Sequence, residues 1–481
     1  MTAIATAAAM LQTLARLRDA GWLRSLDLAL ARWLHEADPT APPSLLLAGA
    51  LVAQMEGRGH SGLPLAALAA DPIATLDWPT EARDECARAF IGWPADDASL
   101  RAAWGDGRGA ARNAAWGAAR SAGALVEFDP TDDAGASPLV LAGDLLHLRR
   151  YWRDELHVAA QVRARAAFVD SEHDPSCHPS RHPSQVPSRD PVPDPFQDVD
   201  VGRARELLGL LFPPAPAGEV DWQQVACALA LRARLTIVTG GPGTGKTYTA
   251  ARLLVLLQAL HAGPHPLRVA LAAPTGKAAA RLRQSISQAL QRLRDQLADK
   301  LPLDDWAAQL APARTLHSLL GTQPGTRRFR HDAGNPLELD VLFVDEASMV
   351  HLEMMARLLE ALPPGARLVL LGDKDQLASV EAGAVMGDLC HGAGAGGAGA
   401  GGAGAGYGPA AAAWVEHLTG RALPPQALGA GPALAQQTVM LRRSHRFDGP
   451  IGQLALAMNR GDAAAALSLL RARADGEAAL V

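Results

Sequence analysis

From about residue 201 onward, the sequence predicts an α/β fold, a parallel sheet with helices on both faces. Three observations carry this. Short apolar, β-rich segments recur at Leu235–Val238, Arg268–Ala272, Asp340–Val344 and Arg367–Leu371. Helical stretches separate them, the alternation of a parallel sheet. Each segment ends in polar or glycine-containing turns, where ligands bind in open α/β sheets.

The first segment runs directly into Gly240-Gly241-Pro242-Gly243-Thr244-Gly245-Lys246-Thr247, which fits G-x-x-x-x-G-K-[ST] without a mismatch. Glycines let a backbone fold tightly round a triphosphate and aim its N–H groups at the oxygens. Lys246 is expected to reach the β/γ-phosphates and Thr247 to offer its hydroxyl to Mg²⁺. The helix that follows turns its positive end to the same anion. The sheet is thus expected to be of the P-loop (RecA-like) kind, with ATP and Mg²⁺ as cofactors. Lysine usage agrees: the chain has four lysines among 45 basic residues, and Lys246, Lys277 and Lys374 fall in motifs.

Before this region, residues 1–165 read as a mostly helical domain with one or two short strands. Met10, Leu11, Leu14, Leu17 and Leu23 recur at helical spacing. Leu139–Leu141 and Leu145–Leu148 flank Gly143-Asp144 as a hairpin. No catalytic constellation occurs there, so docking or structure is its expected role. Residues 166–200 read as a Pro-rich flexible linker, with seven prolines between 170 and 200. His173, Cys177, His178 and His182 have a spacing that suggests a metal site, but with no second ligand pair and flexible flanks a linker is the expected reading.

The motor segment is expected to span 201–391, with a helical insertion near 283–335. Residues 392–406 form a Gly/Ala low-complexity loop, 407–440 a connecting segment, and 441–481 the start of an incomplete second RecA-like domain.

Net charge is −5, which excludes coating nucleic acid through bulk positive charge but leaves room for a basic channel. The four cysteines are widely separated, which points to a reducing, cytoplasmic setting rather than a disulfide framework. The strongest apolar stretch, near Leu45–Ala53, is too short for a bilayer, so no membrane is expected as a partner.

Further chemistry sits at the other strand ends. Asp340–Val344 runs into Asp345-Glu346, where Asp345 suits Mg²⁺ and Glu346 the water that attacks a γ-phosphate. Gln376, in Gly372-Asp373-Lys374-Asp375-Gln376, is placed to bond the γ-phosphate. Pro274-Thr275-Gly276-Lys277 opens a helix at a second anion site suited to a DNA phosphate. Arg281, Arg283, Arg292 and Arg294 follow on that helix, whose apolar stripe is Leu282, Ile286, Ala289 and Leu293. Gln223 has an amide able to read an adenine edge. Arg446 lies in a basic cluster, Arg442-Arg443-Ser444-His445-Arg446, suited to developing γ-phosphate charge.

Together these segments, with Thr315–Gly321 and Gly383-Ala384-Val385, resemble superfamily 1 DNA helicases and, among them, the RecD family of exodeoxyribonuclease V. The resemblance runs from Gln223 to about Asp462, with a weaker likeness near Leu139–Leu156. It implies an ATP-driven helicase subunit moving 5′→3′ on single-stranded DNA, on the 5′-ended strand, in a double-strand-break repair complex. RecB- and RecC-like subunits are the implied partners; a partner subunit holds the nuclease centre, and the N-terminal domain contacts the partners. By position, Gln223 matches the adenine reader, and Gly240, Gly241, Pro242, Gly243, Thr244, Gly245, Lys246, Thr247 and Tyr248 the nucleotide loop. Thr247 and Asp345 match the metal holders; Lys246, Glu346, Gln376 and Arg446 match the catalytic set. Pro274, Thr275, Lys277 and His317 match DNA contacts.

The sequence departs from the family in one respect. The chain ends soon after Arg446, and no late Gln-Gly-Ser-Glu or Thr-Arg motif occurs. The expectation is a chain that binds ATP but by itself unwinds DNA poorly. Two other classes compete: another P-loop ATPase, and a non-catalytic assembly subunit with a truncated motor.

Overall fold

A computed structural model describes residues 6–105, 125–132, 134–166, 199–214, 216, 219–263, 265–297, 299–326, 328–376, 382–390, 406–443, 453–454, 457–458 and 461–474. The chain separates into two compact units. One comprises residues 1–158 with 351–356 and 379–384, the other 159–350, 357–378 and 385–481.

In the N-terminal unit, every residue from Leu45 to Met55 of the Pro43–Gly57 helix is buried. A helix apolar all round must be surrounded, and Ala7–Asp19 and Ser25–Ala37 pack against it. Met10, Leu14 and Leu17 face inward from the first of these, at the predicted period. Four strands, β1 (Gly62–Pro64), β2 (Val126–Phe128), β3 (Leu139–Ala142) and β4 (Leu145–Leu148), form a sheet in the order β1-β4-β3-β2. β3 and β4 are the expected antiparallel hairpin. The sequence suggested one or two strands; β1 and β2, at three residues each, are too short to display a period of two.

Among its described residues, the second unit contains six strands: β5 (Leu235–Gly240), β6 (Val269–Ala273), β7 (Arg314–Thr315), β8 (Val341–Val344), β9 (Arg367–Gly372) and β10 (Thr438–Leu441). All pairs are parallel, in the order β10-β5-β9-β8-β6-β7. β5, β8 and β9 are buried along their whole length, which is why they read as unbroken apolar runs rather than alternations. The Lys246–Leu260 helix is buried continuously from Thr249 to Gln258, with other helices packed round it. Arg367, at the start of β9, donates to the carbonyls of Ala230 (2.6 Å) and Ala233 (2.9 Å), near the end of the Trp222–Ala230 helix. Those groups would otherwise be orphaned.

The structure corrects the domain reading in three places. The connecting segment 407–440 is part of the first sheet: its Pro409–Thr419 helix packs on Val201–Leu211 and Trp222–Ala230. Its end enters β10, paired beside β5, and Leu441 closes that strand instead of opening a second domain. The 283–335 region is not purely helical. The Gly276–Leu297 helix begins before it, and β7 pairs with β6. Isolated bridges Thr322–Phe329 and Asp332–Asn335 follow. The division between units also falls within the Arg149–Ala166 helix rather than after residue 165. The Pro-rich linker, the His173–His182 candidates and nearly all of the Gly/Ala loop lie outside the described residues.

Candidate nucleotide site

The Gly240–Thr247 loop joins β5 to the Lys246–Leu260 helix. Two glycines are needed for reasons beyond flexibility. A Cβ at Gly240 would lie 2.5 Å from the Leu441 carbonyl oxygen, so the edge strand can approach only a bare backbone. Gly245 has φ +90°, and a Cβ there would lie 2.2 Å from Gln223 Nε2. Gln223 Nε2 donates to the Thr244 carbonyl at 3.0 Å. Inside the loop, the buried Thr244 hydroxyl donates to the Gly241 carbonyl at 2.8 Å. Thr249 Oγ1 donates to Gly245 O at 3.0 Å. Pro242 is exposed at the loop tip, while Gly241, Gly243 and Thr247 are half-buried.

Lys246 Nζ donates to the carbonyls of Gly240 and Gly241, the latter at 3.2 Å. Burial pushes its ammonium below the ordinary pKa, while the carboxylates of Asp373, Asp345 and Glu346 act in the opposite sense. Parallel pairing sets three strand ends side by side: β5 with its loop, β8 with Asp345-Glu346, and β9 with Asp373. The sheet order β5-β9-β8 makes it possible. The β9 turn is tied to β5 directly, Lys374 N–H donating to Thr239 Oγ1 at 3.2 Å.

Burial pushes the Asp345 carboxyl above the usual carboxylate range. The Glu346 N–H, donating at 2.9 Å, and Lys246 oppose that push, and the Glu346 charge adds to it. Glu346 itself has φ +53°, ψ +40°, a left-handed conformation. For a non-glycine residue this costs about 1–2 kcal/mol, and such strain clusters at functional positions. Crowded, partly buried carboxylates beside one ammonium suit a divalent cation, whose charge favours their ionised form. The donor set fits Mg²⁺ through Asp345 and Thr247, and the glycine cradle fits a polyphosphate.

Beside the loop opens a cavity of about 530 Å³, lined by Trp222, Gln223, Gly245, Tyr248, Leu441 and Arg442 among others. Arg252 lies with its guanidinium carbon 3.2 Å from the centre of the Tyr248 ring. Arg252 Nε donates to the Leu211 carbonyl at 2.7 Å.

Gln376 is exposed on the β9 turn, with its N–H donating to the Asp373 carbonyl at 3.2 Å. Pro274, Thr275 and Lys277 follow β6, and His317 follows β7, the paired neighbour. Thr275 Oγ1 accepts from Ala278 N–H at 3.2 Å, capping the Gly276–Leu297 helix. Lys277 and His317 are exposed, and the His317 ring lies 5.9 Å from that of Phe329. Arg446 lies outside the described residues. Sequence reasoning quoted Asp373 without giving it a role and passed over Arg252. A carboxylate directly after a buried strand, as at Asp345, was the available signal for Asp373; nothing local marked Arg252.

Two family models match this chain. One, described as an AAA domain, covers residues 223–382. The other, the N-terminal domain of RecBCD enzyme subunit RecD, covers residues 19–147. Both stretches are similar to RecD subunits. RecBCD enzyme subunit RecD of Mycolicibacterium smegmatis is 40% identical over 347 residues, 70% of this chain and 48% of that protein. Its counterpart in Mycobacterium tuberculosis is 44% identical over 278 residues, 55% of this chain and 40% of that one. In Haemophilus influenzae the RecD subunit is 51% identical over 176 residues, 37% of this chain and 27% of the relative. The chain therefore spans about half the length of the M. smegmatis relative, and less of the others. Among its described residues, no helix is long and apolar enough to cross a membrane.

Proposed function

We propose that this chain is the ATP-hydrolysing part of a DNA helicase subunit of the RecBCD type, coupling turnover to 5′→3′ movement on single-stranded DNA. One observation carries the proposal: β5, β9 and β8 pair in parallel as neighbours, so the turns that carry Lys246, Asp373 and Asp345-Glu346 leave the same edge of the sheet side by side. ATP with Mg²⁺ supplies the scissile phosphoanhydride and its charge-neutralising cation. Loop N–H groups and Lys246 bind the phosphates, and Thr247 and Asp345 hold the cation. Glu346 orients water and takes up its proton, while Gln376 bonds the terminal phosphate. Gln223 and Tyr248 border the space for the base. Pro274, Thr275, Lys277 and His317, at the ends of the neighbouring strands, contact the 5′-ended DNA strand. RecB- and RecC-like subunits are the proposed partners, since the relatives are named as RecBCD subunits. A cytoplasmic location accords with that assembly.

The test compares ATP turnover with and without single-stranded DNA, for the wild type and Lys246→Gln. DNA-stimulated turnover abolished by the substitution supports the proposal. Turnover indifferent to DNA points to another kind of P-loop ATPase, and bound but unhydrolysed ATP to an assembly subunit.

A further inference from the structure

The Gly276–Leu297 helix carries five arginine or lysine side chains on its exposed side: Lys277, Arg281, Arg283, Arg292 and Arg294. They are not electrostatically equal. Arg294 is spent on Asp304, at 3.0 Å. Arg283 makes no ion pair or hydrogen bond among the described residues. It lines an open groove of about 610 Å³ together with Arg314, on the edge strand β7, which is likewise unpaired among the described residues. Apart from these two side chains, the groove wall is small or uncharged: Ala279 and Ala280 on one side, Thr315 and Ser318 on the other. Among the described residues, no carboxylate lines it. A second, smaller cavity shares Arg283 and continues along the helix to the Arg294–Asp304 pair, where the unbalanced positive charge ends.

We infer that this groove holds the phosphodiester backbone of single-stranded DNA, with Arg283 and Arg314 as its two phosphate-binding side chains. The inference rests on the motor proposal above and adds to it the residues that grip the strand. Two planar guanidiniums facing one acid-free channel suit phosphate oxygens, which they bind in a forked geometry. The small residues of the helix wall give the backbone room to approach. Among the described residues, the groove has no aromatic side chain on which a base could stack, so contact is with the backbone and indifferent to sequence. The groove also lies beside the 274–277 turn, because β6 and β7 are paired through Ala272–Arg314 and Ala273–Thr315.

The experiment measures binding of a fluorescent oligo-dT to the full chain by anisotropy across a salt series, for wild type, the double variant Arg283→Gln/Arg314→Gln, and Arg294→Gln. Each phosphate contact on a single strand contributes roughly 0.7 to the slope of log affinity against log salt. The double variant is expected to lose about 1.4 of that slope, with ATP affinity unchanged, and Arg294→Gln to retain it. Melting curves establish that the variants are folded; all three side chains are exposed. An unchanged slope and affinity in the folded double variant overturns the groove assignment alone. A wild-type chain that hydrolyses ATP yet binds no oligonucleotide at any salt overturns the motor proposal along with it.

Discussion

The side-chain amide of Gln223 donates to the Thr244 carbonyl at 3.0 Å, directly over Gly245. A residue expected from sequence to read a base therefore also braces the phosphate loop. Gly245→Ala is expected to cost about 1–3 kcal/mol from its left-handed backbone alone, and to weaken nucleotide binding. Part of the loss comes from the collision with Gln223, so Gln223→Ala should partly restore Gly245→Ala. A double-mutant cycle in urea and in nucleotide titration reads this coupling, expected at about 0.5–1 kcal/mol. Strict additivity would show that the two residues do not act on one another.

Glu346 combines a strained backbone with the carboxylate proposed to orient water. The two properties separate by substitution. Glu346→Gln keeps the strain and loses the base, so turnover is expected to fall at least about 100-fold, the lower range for an acid–base residue, with nucleotide binding retained. Glu346→Gly removes the base and relieves the left-handed penalty, so it should be more stable than Glu346→Ala by about 1 kcal/mol. Denaturation midpoints that rank alanine above glycine would contradict the backbone account.

Asp345 is held above the usual carboxylate range first by burial and then by the Glu346 charge. Its ionised form is a cost to the ligand-free fold at neutral pH. Asp345→Asn keeps the shape and removes the charge, so it is expected to raise the melting temperature of the ligand-free chain. The same change should abolish the stabilisation gained from Mg²⁺ with ATP, because the carboxylate is the proposed cation holder. Melting curves with and without Mg-ATP check both halves, and a variant that melts below wild type when ligand-free refutes the first.

Arg252 packs its guanidinium against one face of Tyr248, with Phe212 at the ring's edge. The pair fixes an aromatic wall of the cavity beside the loop. Arg252→Met is expected to raise KM for ATP roughly 3- to 30-fold, from a cation–π contact of about 0.5–2 kcal/mol, and to leave kcat nearly unchanged. Selectivity for ATP over GTP should fall with it. A variant that loses kcat and keeps KM would place Arg252 in the chemistry rather than in positioning the base.

Much of the second unit was legible because its signals are local. β-Branched and apolar runs marked β5, β6, β8 and β9 to within two residues at their ends. Glycine spacing marked the loop, since each turn imposes its own backbone requirement. β7 was hidden by its length of two residues, and β1 and β2 by theirs. β10 was read as the threshold of a second domain because its four residues carry no sign of the strand they pair with, some 200 positions earlier.

The sequence by itself determined the α/β alternation, the phosphate loop and the carboxylates at strand ends, each written in fewer than a dozen consecutive residues. Tertiary structure alone decided that β10 lies against Gly240, that the turn after β9 is tied to Thr239 of β5, and that Arg252 covers Tyr248. Parallel strands take their neighbours from distant parts of the chain. The field at a buried ammonium is likewise set by whichever carboxylates the sheet order brings to its side.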